Sequence, residues 1–353
     1  MDFEAIDIEK LNAENIRFEK AKRVFTTVGI AIALLAVVRL LTQIFMMRVM
    51  YVFFPAILDL WWADTLLSFV PLYVFALPIF LLVLGRIDKS EHNGTCLSRG
   101  ENGEYTLTDK PKFGFKKWLL FAVASLGVLY IGSYIGEYVM AILSAVMGYD
   151  YSSALGEMVQ SMPVWATVVT TCILAPIGEE ILFRKLLIDR MRPFGDVAAI
   201  LVSAMAFALF HMNFYQFFYA LFVGIIIGYV YTLTGKLGWC IGLHAFINFI
   251  GSVVVPAMAS GVDYDALAEG NTAVISQNPW AYVLYFLASF LITVLSVLSI
   301  IMIILHCRRL ALSQGSEYLG KGRTAGAVLK SGGIILALVI LGLLFAMNLM
   351  PVA

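Results

Sequence analysis

Three short patterns in this chain place polar side chains at helical spacing inside apolar sequence: Glu179-Glu180-x-x-x-Arg184, Phe207-x-x-x-His211 and His244-x-x-x-Asn248. Glu180 and Arg184 stand four residues apart, so they can pair across one helical turn with the acid on the favourable N-terminal side. Glu179 projects about 100° away from Glu180 at 3.6 residues per turn. One carboxylate is thus expected to be neutralised by the arginine, leaving the other for chemistry. A lone histidine on an apolar helix face is ordinarily structural. Polar faces on three neighbouring helices change those odds, because ionisable side chains within membrane segments normally face an interior or a water-filled cavity.

The same side chains admit other readings. Glu179, His211 and His244 could supply three zinc ligands and leave the fourth position for water, although no HExxH occurs. A transporter could use them as a proton relay extended by Glu137 and Arg39; related halves of the kind many transporters show are not visible. A scaffold or immunity-type protein could keep the residues and work by binding.

The elements that must position them are membrane helices. The chain has 353 residues, 61% of them hydrophobic and 14% charged, with a mean hydropathy of +0.88. Soluble domains hold roughly 45–50% apolar and about 25% charged residues, so this is an all-α, polytopic transmembrane bundle of eight to nine spans. A span needs about 20 mainly apolar residues. Candidates lie at 24–47, 65–84, 118–147, 163–190, 196–213, 214–234, 237–258, 280–305 and 331–350. Segment 48–64 is too short and aromatic for a span and is expected to be interfacial or re-entrant. Residues 85–117 form a polar, Gly-rich loop expected to be a small hairpin or mobile. Three units result: 1–117 (amphipathic N-terminal segment, two spans and cytoplasmic loop), 118–258 (the core, with its motif region at 160–258) and 259–353 (C-terminal spans and loops).

Basic residues orient the bundle. With the N-terminus inside, 22 of the 24 Lys and Arg fall in cytoplasmic segments, and only Arg39 and Arg48 fall elsewhere. Loops 148–162 and 259–279 carry acids and no base, as the positive-inside bias requires. The N-terminal segment alternates acid and base and is not a cleavable signal peptide, so the first span is expected to remain as an anchor. Formal charge sums to zero, which gives no pull towards nucleic acid. The cysteines Cys96, Cys172, Cys240 and Cys307 form no CxxC and read as small apolar side chains rather than a metal cluster or disulfides. Gly132-x-x-x-Gly136 and Gly224-x-x-x-Gly228 suit close helix approach. Glu137 is expected in an interhelical gap or beside a motif residue, and Arg39 is expected to snorkel or pair with it.

Depth supports one cluster. Glu179 lies 16 residues before Gly195 and His211 lies 16 after it, so a straight hairpin would set both roughly 24 Å from its tip. His244 lies nine residues beyond Gly235, about 13 Å in. The depths agree if Asp189–Arg192 projects about 10 Å beyond the lipid.

In this order and spacing the three motifs resemble those of the CPBP intramembrane proteases, which include the type II CAAX prenyl endopeptidases and the bacterial Abi or bacteriocin-immunity-type proteins. The resemblance covers roughly 160–258. It implies an intramembrane endopeptidase in which Glu179 acts as general base on water together with His211. His244 and Asn248 hold the oxyanion, and Glu180–Arg184 is a structural pair supported by Phe207. It further implies a membrane-associated peptide or lipidated protein as substrate and no metal, zinc being the alternative. The expected location is a bacterial cell membrane, with the site opening to the cytoplasm.

Orientation is testable by labelling. Cysteines introduced at Thr234 and Ser260 should react from opposite faces of sealed vesicles; reaction from the same face would overturn the N-in topology.

Overall fold

The computed structural model describes residues 3–89, 95–99, 105–109, 112–148, 162–306 and 310–349. Backbone alone is described for 3–10, 95–99, 105–108, 265 and 268. His92, Asp150, Glu157, Cys307 and the side chain of Cys96 therefore lie outside the described residues.

Helix α1 runs unbroken over Phe3–Phe53. Its 51 residues span about 76 Å, more than twice a hydrocarbon core of roughly 30 Å. The expected span 24–47 is therefore its middle part, and residues 48–53 continue it instead of opening an interfacial segment. Pro55 ends the run by pushing Phe54 out of the helical region (φ −142°). After a short turn at Pro55–Leu58, α2 covers Trp62–Leu84. An antiparallel hairpin follows, β1 (Thr95–Arg99) with β2 (Tyr105–Asp109), in which Thr95 faces Asp109.

The core then begins with α3 (Phe115–Met147), followed by α4 (Val164–Phe194). Helix α5 (Asp196–Phe210), α6 (Phe214–Thr234) and α7 (Leu237–Ala259) complete it. Two short helices, Tyr264–Ala268 and Ala273–Gln277, lead to α8 (Pro279–His306). Lys321–Leu329 (α9) and Gly332–Met347 (α10) form a pair bent by 59°. Among the described residues seven helices are long and apolar enough to cross a membrane, or eight if the bent pair is one span. The chain is thus a polytopic helical bundle, with one small hairpin among the described residues.

Helix α5 departs from its expected span. It holds 15 residues, about 22 Å of rise, and stops short of a full crossing. His211 follows as its C-terminal cap, and Met212 adopts a left-handed conformation (φ 56°). Asn213 then caps α6, its Oδ1 accepting from Gln216 N at 2.9 Å. A non-glycine residue held there costs on the order of 1–3 kcal/mol, and this turn sits beside a motif histidine.

Glycines set the spacing around α6, which packs on α3 and on α5. A Cβ on Gly132 or Gly136 of α3 would overlap the α6 backbone at Tyr219 and at Phe214. Gly224 and Gly228 of α6 face Ala204 and Ile200 of α5 at 3.3 and 3.2 Å from an added Cβ. Both small-residue pairs therefore serve packing. Gly29 and Gly333 bring α1 and α10 together the same way. Cys172 and Cys240 are buried free thiols.

Gly136→Leu should lower the folded fraction, since overpacking against backbone costs about 1–3 kcal/mol or more. Gly238→Ala, where an added Cβ meets nothing within 4 Å, should be neutral or slightly stabilising. Thermal unfolding of the two variants in detergent checks the contrast.

Candidate active site

Helix α4 carries Glu179 and Glu180 in a regular α-helical turn (Ala175–Glu180) between two π-helical stretches, Val168–Leu174 and Ile181–Ile188. π-helical turns recur at functional sites. Glu180 and Arg184 are both fully buried (0% exposed), with Glu180 Oε2 3.1 Å from Arg184 Nε. The contact lies off the N–H axis, since neither atom has a directed hydrogen-bond partner; it is a close ion pair in a low dielectric. Arg184 Nη1 also donates to Ser203 Oγ of α5 at 3.0 Å, and its guanidinium stands 5.1 Å from the Phe207 ring centre.

Glu180 has a second partner. His244 Nδ1 lies 2.9 Å from Glu180 Oε1, while His244 Nε2 lies 3.6 Å from Glu179 Oε2. The two carboxylates diverge along α4, yet one imidazole from α7 bridges them. Nδ1 must be the donor, because a carboxylate bonded to it accepts. Nε2 and Glu179 then face each other as two acceptors unless a proton sits on one of them, so this edge of the site holds a proton or turns one inward.

His211 is oriented from below. Its Nδ1 lies 2.8 Å from the Phe207 carbonyl, which can only accept, so in the neutral ring Nε2 carries the lone pair. Phe207 packs edge-on against both His211 and His244, with ring centres 4.8 and 5.7 Å away. Asn248 Nδ2 donates to the Thr171 carbonyl at 2.8 Å, leaving its second N–H.

Glu179, His211, His244 and Asn248 line one cavity of about 250 Å³. Glu179 keeps 20% of its side chain exposed there, in contrast to the sealed Glu180. The residues predicted to converge are brought together. The sealed carboxylate is not merely neutralised, however; it also holds His244.

Sequence reasoning missed part of this wall. Arg39 of α1 does not pair with Glu137. It lines the cavity, with its guanidinium 4.6 Å from the Phe210 ring centre and Nη1 3.5 Å from the Phe210 carbonyl. Tyr73 of α2 and Tyr219 of α6 line it too; a Cβ at Gly178 would overlap Tyr73. Tyr219 Oη accepts from Gln216 Nε2 at 2.8 Å, which leaves its hydroxyl proton to donate. The available signal was Arg39 itself, one of two bases outside the cytoplasmic segments. Glu137 is exposed on α3 and has no ion pair among the described residues. No three His, Cys, Asp or Glu side chains among the described residues are grouped as a shared metal ion would need.

Removing one member of the buried pair should be costly. Arg184→Ala should destabilise by about 3–5 kcal/mol by leaving Glu180 uncompensated. The double variant Arg184→Ala/Glu180→Gln should lose less than the sum of the single changes. Chemical unfolding of the four proteins in detergent measures the coupling, and strict additivity would contradict it.

Comparison with known proteins agrees with this segment. Residues 161–250, which hold all three motifs, match the family described as Type II CAAX prenyl endopeptidase Rce1-like. No curated protein and no solved structure matches the chain. Across 161–250, about a quarter of its length, the chain is thus similar to the CAAX-type intramembrane endopeptidase family.

Proposed function

We propose that this protein hydrolyses a peptide bond of a membrane-associated or lipidated substrate, using a water molecule activated by Glu179 and His211 without a metal. The observation that carries the reading is the unequal treatment of adjacent carboxylates. Glu180 is sealed between Arg184 and His244, whereas Glu179 meets the cavity beside His211.

In this mechanism Glu179 takes a proton from water as the oxygen adds to the scissile carbonyl carbon, and His211 Nε2 accepts the water's other hydrogen bond. The carbonyl oxygen becomes an oxyanion. His244, with Nδ1–H held by Glu180, presents Nε2–H when protonated, and Asn248 presents its remaining N–H. Both of these donors are partly committed, to Glu179 and to Thr171. Among the described residues the Arg39 guanidinium makes one hydrogen bond, the long one to the Phe210 carbonyl, so we assign it to the oxyanion as well. The intermediate collapses as the amine nitrogen takes from Glu179 the proton that water gave it, the C–N bond breaks, and an acid and an amine leave. Donors fixed in a water-poor cavity stabilise such charge far better than they would in water.

Comparing membrane proteomes of cells carrying wild type or Glu179→Gln identifies the substrate, whose cleavage is then followed with purified protein. Glu179→Gln should leave nothing above background with near-normal folding. Asn248→Ala and Arg39→Ala should each lower kcat by about 10²–10³, with Arg39→Lys recovering part of the loss. An Arg39 effect confined to KM would remove it from the oxyanion set. Wild type dialysed against a strong chelator should keep its activity; loss restored by stoichiometric zinc would replace this mechanism with the zinc alternative.

A further inference from the structure

A second recess opens at the end of the bundle where the basic residues collect, separate from the active-site cavity. It holds about 470 Å³ and is walled by α1, the segment after α2, the α4–α5 turn and the stretch before α9. Five cations line it, Lys20, Arg23, Arg86, Lys89 and Arg190, against two carboxylates, Asp88 and Glu317.

These cations are not equally committed. Lys20 pairs with Glu317 at 2.5 Å. Arg190 is buried, with its guanidinium donating to the backbone carbonyls of Leu84 and Leu186 at 2.9 and 2.8 Å; among the described residues no acid is bonded to it, the neighbouring Asp189 acting only at longer range. Arg23, Arg86 and Lys89 have no ion pair among the described residues. Positive charge therefore exceeds negative within one concave wall. Ordinary positive-inside bias requires bases on this face but not their convergence on a recess.

Depth indicates the ligand. Arg23 directly precedes the apolar stretch of α1, and Arg86 follows two residues after α2 ends at Leu84. Both flank apolar spans at the ends nearest this recess. Val24, Ile87 and Phe194 add apolar wall beside the charges, and Ser316 adds a hydroxyl. A phosphodiester with a glycerol and acyl stem matches this combination better than a bare anion, which needs no apolar side. Basic pockets between helices on this face are suited to acidic lipid headgroups.

We propose that this recess binds the phosphate of an acidic phospholipid headgroup. Because Arg190 and Phe194 belong to α4, the bound lipid touches the helix that carries Glu179.

The test uses the full chain in neutral detergent micelles doped with dioleoylphosphatidylglycerol or dioleoylphosphatidylcholine, with retained lipid counted by native mass spectrometry. Phosphatidylglycerol should be retained preferentially and should raise the thermal midpoint. Arg23→Ala/Arg86→Ala, both exposed positions, should weaken that retention by about thirtyfold. Lys112→Ala/Lys116→Ala, which changes bases outside the recess, should keep it. Unchanged retention in the first double variant, or equal loss in the second, would overturn the site. Displacement of the lipid by millimolar inorganic phosphate, with the same thermal shift, would show a free-anion site and overturn the lipid assignment.

Discussion

Burial of one charge governs this bundle. Arg184 is fully enclosed, and an ionised group at such depth is tolerated only with partners around it. Those partners come from different helices: Glu180 on α4 itself, Ser203 on α5 and the Phe207 ring. Glu180 then passes the constraint to α7 through His244. Three helices are fixed relative to one another by a line of charge and hydrogen bonds that lipid cannot replace. The neighbouring carboxylate inherits its position without sharing its burial, which is why two consecutive glutamates can differ so sharply in surroundings.

The shortness of α5 does comparable work. By ending at Phe210, it leaves His211 inside the bundle rather than at its far surface. Met212 and Asn213 turn the chain at once into α6, and Asn213 Nδ2 donates to the His211 carbonyl at 2.8 Å. The backbone strain at Met212 is held by surrounding structure, including Asn348 of the segment closing α10, whose Nδ2 donates to the Met212 carbonyl at 3.0 Å. Glycines at 132, 136, 224 and 228 let α3, α5 and α6 approach closely enough to make this turn a wall of the cavity.

The spans and the motif cluster were legible because charge is rare in this chain and its spacing is helical. Runs of apolar residues located most helices, and the i,i+4 pairs located the residues that meet. What stayed hidden depends on rotation and docking. In lipid both faces of a helix can be apolar, so periodicity does not say which side of α1 turns inward, and Arg39 could be placed only by the fold. The bridging of both carboxylates by His244 depends on how α7 rotates against α4, and the bond from Asn248 to Thr171 needs a carbonyl that a π-helical stretch presents. The end of α5 had a local sign in Asn213, a good N-cap, but the apolar run across Phe210 concealed it. Continuity of α1 through residues 48–53 was obscured by its aromatic composition, although no Gly or Pro stands between 48 and 54.

Arg39 and Tyr73 stand on helices outside the segment that matches the protease family. The cavity is accordingly assembled from two stretches of chain with separate histories open to them. Drift in α1 and α2 can reshape one wall, altering size, polarity and fit, while Glu179, His211 and His244 in the matched segment stay intact. Diversification of preference need not trade against reactivity in such an arrangement. Protein engineers could exploit that separation by randomising the first two helices alone.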